Sequence, residues 1–298
     1  MHGEKGNGGM IYKRYSSNMK KAVDYIEKNI KNNVTYSQVA QAAAISKGHF
    51  WRLFKMLFGE TIGSYIRNRR LTLTAQKLLS SRRKISDICY EYNFESHEAF
   101  TRAFKKLFCM APVEYRKKRE RFYCLERQKL TDKDINHILG GGINTNPDFI
   151  RIKKFTVYGQ IKKISAKRVI DGGLKKVLKL KKSNKRIFTA VCGCGQYIDK
   201  LSTNSPVELF TGTISENIKR ECGQSERIMP AGKYARFIHK GSFLLIASSL
   251  DYIFGSWVRK SCKKGLKYYF ILSENREKTK NGFRAEIYIP AGIIKKSK

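Results

Sequence analysis

Acidic residues are scarce in this chain of 298 residues, which has 24 Asp and Glu against 61 Lys and Arg and a formal net charge of +37. Such an excess favours a polyanionic partner, and both halves of the chain share it. It does not by itself distinguish DNA from RNA or from an acidic membrane surface. For the second half, a general compositional bias toward lysine is an equally good explanation. The composition therefore indicates a class of partner and leaves its identity open.

Long apolar runs are also missing. The longest one, Ser242 to Val258, is interrupted by Asp251 and is too short and amphipathic to span a bilayer. Met1 to Gly9 is polar and glycine-rich, so we expect no signal peptide. The seven cysteines are odd in number and irregularly spaced, which suits a reducing compartment better than a disulfide scaffold. The expectation is a soluble protein of the bacterial cytoplasm and nucleoid, with no membrane contact.

Patterns that support catalysis are absent as well. The five His residues are scattered, and the close pair Cys192 and Cys194 has no His or Cys cluster beside it. Neither a nucleophile motif nor a glycine-rich phosphate loop between a strand and a helix is present in the sequence. We therefore expect no enzyme activity, no metal and no cofactor, and a function that rests on binding.

Two segments 50 residues apart carry the same pattern, from Ser46 to Phe58 and from Ser96 to Phe108. At 3.6 residues per turn, the second places apolar side chains on one side and charged ones on the other. The apolar positions are Phe100, Ala103, Phe104 and Leu107, and the charged ones are Glu98, Arg102 and Lys105. Each segment follows a shorter helical stretch, Tyr36 to Ala44 and Ser86 to Tyr92. Two copies of this arrangement predict a tandem helix-turn-helix domain.

A single long helix, Thr61 to Leu79, is predicted between the two copies. About 20 residues at 1.5 Å each give about 30 Å, close to the spacing of about 34 Å between successive turns of B-DNA. The chain is therefore expected to place two reading helices in successive major grooves, and so to bind duplex DNA as a monomer.

Three motifs resemble the signature of AraC/XylS-type bacterial transcription activators: Gly63 to Leu71, Phe100 to Lys106 and Pro112 to Arg116. Within this family the chain is most similar to the Rob/MarA/SoxS group, and it has the DNA-binding part first, as Rob-type members do. This resemblance covers about residues 17–120 and implies recruitment of RNA polymerase. The group has Trp where this chain has Gly48 and Gln where it has Trp51. These departures leave the docking mode intact and put the group's promoter sequence in doubt.

The predicted DNA-contacting residues lie on the exposed sides of the two reading helices. They are Lys47, Gly48, His49, Trp51, Arg52, Lys55, Ser96, His97, Glu98, Thr101, Arg102 and Lys105. Arg52 has the chemistry to grip a guanine or to contact a phosphate. Trp51 suits packing on a thymine methyl or a sugar, or alternatively a place in the protein core. Glu98 suits a cytosine amino group, or alternatively repels phosphate and weakens the second contact.

The second half changes periodicity near Phe149. Extended segments are predicted at Phe149 to Ile161, Arg186 to Cys192, Val207 to Ile214, Lys233 to His239, Lys267 to Leu272 and Arg284 to Pro290, with helices at Lys167 to Leu180 and Phe243 to Trp257. This order predicts an α+β domain of two β-α-β-β repeats.

Residues 149–291 resemble a GyrI-like effector-binding domain. The resemblance implies a cavity lined by aromatic side chains with a buried acid, for which the matching residues are Tyr234, Trp257, Tyr269, Glu286 and Tyr288; the alternative for these positions is a role in the core.

The predicted organisation is a disordered tail (1–15), an all-α DNA-binding domain with two helix-turn-helix units (16–120), a linker (121–148) and the GyrI-like domain (149–298). A fragment of about residues 10–125 is expected to fold and bind DNA alone. The predicted function is that of a sequence-specific transcription regulator that senses a small amphipathic effector. The resemblance implies that it acts as an activator. A charge-driven, nucleoid-associated protein without an effector is the alternative, and a scavenger or hydrolase activity of the second domain is a third.

Overall fold

The structure is a computed structural model and describes residues 5–122, 126–168, 187–193, 202–213, 223–258, 266–274 and 283–291. The chain divides into an N-terminal unit, Met1–Gly140, and a C-terminal unit, Gly141–Lys298. The N-terminal unit contains the helices α1 (Lys5–Lys28), α2 (Tyr36–Ala42), α3 (Lys47–Phe58), α4 (Ile62–Ser80), α5 (Ile85–Glu91), α6 (His97–Phe108), α7 (Pro112–Lys118) and α8 (Asp132–Leu139).

Helices α2 to α4, the first repeat, recur as α5 to α7, the second repeat. Ends of helices are specified locally in both repeats: the hydroxyl of Thr61 accepts from the backbone N–H of Ser64, and Pro112 begins α7. Gly59 and Cys109, 50 residues apart, both end a reading helix with a left-handed backbone, at φ 66° and 59°. The predicted tandem helix-turn-helix fold is confirmed.

Each repeat packs around the same four aromatic rings. In the first repeat they are Phe50, Phe54, Phe58 and Tyr65, and in the second Phe100, Phe104, Phe108 and Tyr115; all eight are buried. The ring centroids of Phe54 and Phe58 lie 4.7 Å apart, and those of Phe104 and Phe108 lie 4.5 Å apart. Burying such side chains stabilises by about 1.5–3 kcal/mol each. Because the rings occupy one side of α3 and α6, the opposite side of each reading helix is left for solvent.

The ends of the N-terminal unit differ from the sequence prediction. Helix α1 begins at Lys5, inside the segment 1–15 that was predicted to be disordered. The apolar pattern of α1 starts only at Met19, so periodicity detects its packed part alone. Once that part is helical, adding turns needs no new nucleation, because propagation adds a hydrogen bond for each residue that is fixed.

Helix α8 lies within the segment 121–148 that was predicted to be a linker. It begins with a capping box between Thr131 and Asp134, buries Ile135, His137 and Ile138, and packs against α1 and α3. A helix of eight residues carries too little periodicity to be recognised against a polar background. The prediction of a linker is therefore corrected for Asp132–Leu139.

The C-terminal unit is built on one antiparallel sheet. Its strands are β1 (Asp148–Ile152), β2 (Phe155–Ser165), β3 (Ile187–Gly193), β4 (Pro206–Thr213), β5 (Ser225–Met229), β6 (Gly232–Gly241), β7 (Tyr268–Glu274) and β8 (Phe283–Pro290). Their order in the sheet is β1-β6-β8-β7-β3-β4-β2-β5. Between β6 and β7, a 3-10 turn (Phe243–Leu245), helix α9 (Ile246–Tyr252) and a π-helical segment (Ile253–Val258) follow one another. The predicted α+β class is confirmed.

Two details of the sheet differ from the sequence prediction. The segment Phe149 to Ile161 forms two strands, because β1 pairs with β6 and β2 pairs with β4 at distant positions in the sheet. Strand β5 was not predicted; it pairs with β2 at an edge and carries mixed polar and apolar residues. The helix predicted at Lys167 to Leu180 lies almost wholly outside the described residues.

Candidate functional site

The six residues predicted on the first reading helix, Lys47, Gly48, His49, Trp51, Arg52 and Lys55, are all exposed. Trp51 is 43% exposed, which decides against a place in the core. The Lys55 ammonium lies 5.1 Å from the centre of the Trp51 ring, a cation–π distance. A Cβ built on Gly48 meets nothing within 4 Å, so this point of α3 is open. Helix α3 therefore presents an aromatic and cationic surface.

The second reading helix presents His97, Glu98, Arg102 and Lys105 to solvent. Two further predicted residues are more enclosed. The Ser96 hydroxyl accepts from the backbone N–H of Ala99 at 3.1 Å, so it caps α6. The Thr101 hydroxyl is buried and has no hydrogen-bond partner among the described residues. The exposed positive charge of α6 thus comes from the predicted Arg102 and Lys105 together with Lys106, with Glu98 opposing them.

Glu98 is held against the start of its own helix. Its carboxylate accepts from its own backbone N–H and from the Ser96 hydroxyl, and these bonds lower its pKa. An acidic side chain is favoured at this place by the unpaired N–H groups of a helix N-terminus. These bonds keep the Glu98 carboxylate ionised, so its negative charge opposes a nearby phosphate.

Arg70 joins the two repeats. Its guanidinium donates to the carbonyl oxygens of Ile30 (2.8 Å) and Asn32 (2.6 Å) beside the first repeat, and to that of Asn93 (3.1 Å) in the turn of the second. Burial lowers the pKa of Arg70. Lys31 and Glu91 add an ion pair of 2.5 Å across the same boundary. These contacts set how the first and second repeats are placed relative to each other.

A cleft of about 360 Å³ separates the repeats at this point. It is lined by Asn33, Val34, Tyr36, Gly63, Ile66, Arg67, Arg70, Asn93, Phe94, Glu95, Ala99 and Ala103. Tyr36 approaches the backbone of α4 so closely that a Cβ on Gly63 would lie 2.4 Å from its hydroxyl. Two arginines against one glutamate give the cleft a cationic lining.

A buried polar network attaches the segment after α7 to α4. The Arg127 guanidinium donates to the Glu60 carboxylate at 2.6 Å, and both side chains are 3% exposed. Arg69 pairs with Glu27 of α1 at 2.7 Å and also donates to the Arg127 carbonyl oxygen at 2.7 Å. The N-terminal unit therefore extends well beyond α7.

In the C-terminal unit, the five predicted effector residues do not form one group. Directly opposed residues of antiparallel strands point to the same side of a sheet. The pairings place Tyr234, Glu286 and Tyr288 on one side with Phe270, and Tyr269 on the other. Trp257 follows α9 and contacts Phe237 on the Tyr269 side, with ring centroids 5.0 Å apart. The first side is called here the aromatic face.

The aromatic face is a stack of rings beside one acid. Phe270 and Tyr288 are stacked at 4.6 Å, and the hydroxyls of Tyr234 and Tyr268 lie 2.8 Å apart. The Tyr288 hydroxyl donates to Glu286 at 2.5 Å; burial, with this bond, raises the pKa of Tyr288. Sequence reasoning missed Tyr268 and Phe270. Alternation in β7 separates Phe270 from Tyr269, but only the pairing of β7 with β8 sets Phe270 opposite Tyr288.

Glu286 already has cationic partners. Arg284 Nη2 lies 3.1 Å and Arg236 Nη1 4.0 Å from its carboxylate, and Arg236 also pairs with Asp148 at 3.0 Å. The Nε of Arg236 is buried without a hydrogen-bond partner among the described residues. The acid of the aromatic face is thus largely balanced by charges of the same chain.

In the described ranges, no helix is long and apolar enough to cross a membrane. Within those same ranges, no group of three or more His, Cys, Asp or Glu is placed to hold a metal ion.

Comparison with known proteins identifies both units. Residues 39–118 match the model of a helix-turn-helix domain, and residues 146–291 match that of a GyrI-like small molecule binding domain. The chain is 36% identical over 121 residues to the uncharacterized HTH-type transcriptional regulator YbfP of Bacillus subtilis, a match that covers 41% of each chain. It is 42% identical over 96 residues to the right origin-binding protein of Escherichia coli K12, covering 32% of this chain and 33% of that one.

A third relative is matched over most of its length. The multiple antibiotic resistance protein MarA of Salmonella typhimurium is 38% identical over 94 residues, which cover 32% of this chain and 74% of MarA. The matches to YbfP and to the right origin-binding protein span less than half of those proteins. Together with the two aromatic-cored repeats, these matches show that the chain belongs to the AraC family of helix-turn-helix transcription regulators, with a GyrI-like domain as its C-terminal unit.

Proposed function

We propose that the protein regulates transcription by binding duplex DNA as a monomer, with α3 and α6 in successive major grooves. The observation that carries this proposal is the identical placement of Arg52 and Arg102, both exposed at matching points of the two reading helices. Helix α4 has 19 residues, or about 28 Å, which suits one turn of B-DNA. Activation through recruitment of RNA polymerase is the further part of this proposal and is supported by family membership.

The contacts divide into two kinds. Arg52 and Arg102 read base edges, since a guanidinium grips the O6 and N7 of guanine with two hydrogen bonds. The exposed ammonium groups of Lys47, Lys55 and Lys105 contact phosphates and position the helices. Trp51, exposed and backed by Lys55, packs on a thymine methyl or a sugar. Gly48 leaves room for the DNA backbone or a base edge to approach α3 closely.

The C-terminal unit is proposed to take a small amphipathic molecule at the aromatic face. Tyr234, Glu286 and Tyr288 lie on that face and remain candidate contacts, whereas Trp257 and Tyr269 belong to the helix-covered side. Because Arg236 and Arg284 balance Glu286, an anionic head group suits this face better than a strongly cationic one.

A fatty-acid anion such as laurate is then expected to raise the melting temperature of the full chain. In the Tyr288→Ala variant this rise should be smaller, and equal rises would place the ligand elsewhere.

The DNA-binding proposal is tested by selecting duplexes from a random pool with the full chain and footprinting the bound sites with hydroxyl radicals. We expect one protein per site and protection of the sugar-phosphate backbone beside two major grooves about one helical turn apart. The selected site should bind about 10³-fold or more tightly than random duplex. Equal affinity for selected and random DNA would favour the alternative of a charge-driven nucleoid protein, for which the net charge of +37 is the specific support.

A further inference from the structure

Helix α1 continues beyond the part that packs on the core. Its buried face starts at Asn18 and Met19 and continues with Ala22, Val23 and Ile26, whereas Arg14 to Ser17 contribute no buried residue. The segment Lys5–Ser17, called here the α1 extension, has 13 residues, or about 20 Å of helix.

The base of the extension is attached beside the first reading helix. The Tyr15 hydroxyl lies 3.3 Å from Nε2 of His49, and their ring centroids are 5.9 Å apart. His49 is in the first turn of α3. On the other side, the Ser16 hydroxyl donates to the Asn136 side chain of α8. The extension therefore leaves the N-terminal unit next to the end of α3 that begins at Lys47.

The composition of the extension suits a polyanion. It contains Lys5, Lys13 and Arg14 and no Asp or Glu, and the Arg14 side chain is exposed. Gly6, Gly8 and Gly9 each disfavour a helix by about 1 kcal/mol relative to alanine. A helix with three such glycines has a low intrinsic stability, so a charged external partner would stabilise it.

We infer that the α1 extension is a third DNA contact, which lies against the phosphate backbone at the edge of the groove that α3 occupies. This inference rests on the proposed entry of α3 into a major groove. Arg14 donates to a phosphate oxygen, and Tyr15 holds His49 in place at the same edge. Because phosphate contacts carry no sequence information, the extension adds affinity without changing the preferred site.

The experiment uses the full chain and a duplex of about 40 base pairs that carries its selected site. Affinity is measured against salt concentration for wild type, Arg14→Ala, Arg14→Lys, Tyr15→Phe and a chain that lacks residues 2–14. One lost phosphate contact should reduce the slope of log K against log salt by about 0.9, which is about an eightfold loss of affinity at 0.1 M salt. We expect this loss for Arg14→Ala on specific and random duplexes alike, and recovery of the slope in Arg14→Lys.

Removal of residues 2–14 should reduce the slope of log K against log salt by at least as much as Arg14→Ala does. The hydroxyl-radical footprint of the truncated chain should lose protection only at the end of the site next to the α3 groove. Tyr15→Phe should weaken binding by a smaller factor without a change in slope. Lys28→Ala is the matched control, because Lys28 is an exposed cation in the last turn of the same helix. It is expected to leave slope and footprint unchanged, and melting temperatures check that each variant is folded.

The outcomes separate this inference from the proposed function. Suppose that wild type prefers its site and that Arg52→Ala removes this preference, but that truncation changes neither slope nor footprint. The extension then does not contact DNA, while the proposed function as a regulator still stands. If wild type shows no preferred site, the proposed function fails first. If Lys28→Ala lowers the slope as much as Arg14→Ala does, the effect is general charge rather than a contact, and the inference is overturned.

Discussion

Arg70 donates a hydrogen bond of 3.1 Å to the carbonyl oxygen of Asn93, and this bond joins helix α4 to the turn of the second repeat. Asn93 has a left-handed backbone, with φ 56°, in the turn between α5 and α6. Two further bonds from the same guanidinium reach Ile30 and Asn32 beside the first repeat. One side chain thus connects both halves of the DNA-binding surface.

Arg70→Lys should uncouple the repeats while keeping the charge. A single ammonium does not reproduce the fork that reaches three carbonyl groups in different directions. Each lost hydrogen bond from a charged group costs about 1.5–3 kcal/mol, so the unfolding midpoint in urea should fall. Specific DNA affinity should fall more than random affinity, because two grooves must be engaged at a fixed spacing. A variant with unchanged stability and specificity would show that the helix α4 alone sets the spacing.

Arg52→Ala and Arg102→Ala should each weaken binding to the selected site by about 1–3 kcal/mol and relax the preference at one base position. The reason is their exposed, matching placement on α3 and α6. Affinity is measured on the site and on single-base variants, with Arg82→Ala, an exposed arginine outside both reading helices, as the control. Wild-type behaviour of Arg102→Ala alone would mean that only the first repeat reads sequence.

The smallest stable DNA-binding fragment should end near Gly140 rather than near residue 125. A chain cut at 125 lacks Arg127 and leaves the Glu60 carboxylate buried without its partner, which costs about 3–5 kcal/mol. We expect residues 1–140 to unfold cooperatively and residues 1–125 to be much less stable. Within the longer fragment, Arg127→Met should reproduce most of the loss.

The matched control for that experiment is Lys129→Met. Lys129 pairs with Asp24 at 3.2 Å, but both side chains are about half exposed, and exposed pairs contribute less than about 1 kcal/mol. Equal effects of the two substitutions, or equal stability of the two fragments, would contradict a structural role for the segment after α7.

Stability should fall with pH below about 6.5 because of His137. Burial lowers the pKa of this side chain in the folded state, with Asp134 opposing the shift. As pH falls past the ordinary value, the unfolded chain takes up a proton that the folded chain does not, so unfolding becomes more favourable. The free energy of unfolding falls by up to about 1.4 kcal/mol for each unit by which the pKa of His137 differs between the unfolded and the folded chain. Urea unfolding at pH 7.5 and 5.5 should show a smaller fall in His137→Gln than in wild type; an equal fall would assign the effect to carboxylates.

The aromatic residues of the two repeats were readable in the sequence because they are local. Phe50, Phe54 and Phe58 return at four-residue steps, and their counterparts recur 50 residues later, so helical periodicity and the repeat predict both reading helices and their exposed arginines. The class of the C-terminal unit followed from alternation in the same way. Trp51 stayed open between core and surface, because a single amphipathic position does not specify which neighbours surround it.

Only the tertiary structure decided which residues meet across distance. The pairing of Glu60 with Arg127, the three carbonyl groups around Arg70 and the separation of Tyr269 from Tyr288 on opposite sides of a sheet join segments far apart in the chain. No local period encodes such contacts. They arise because a buried charge must find a partner wherever the fold brings one, and because the register of a strand, rather than its composition, selects the face on which each side chain lies.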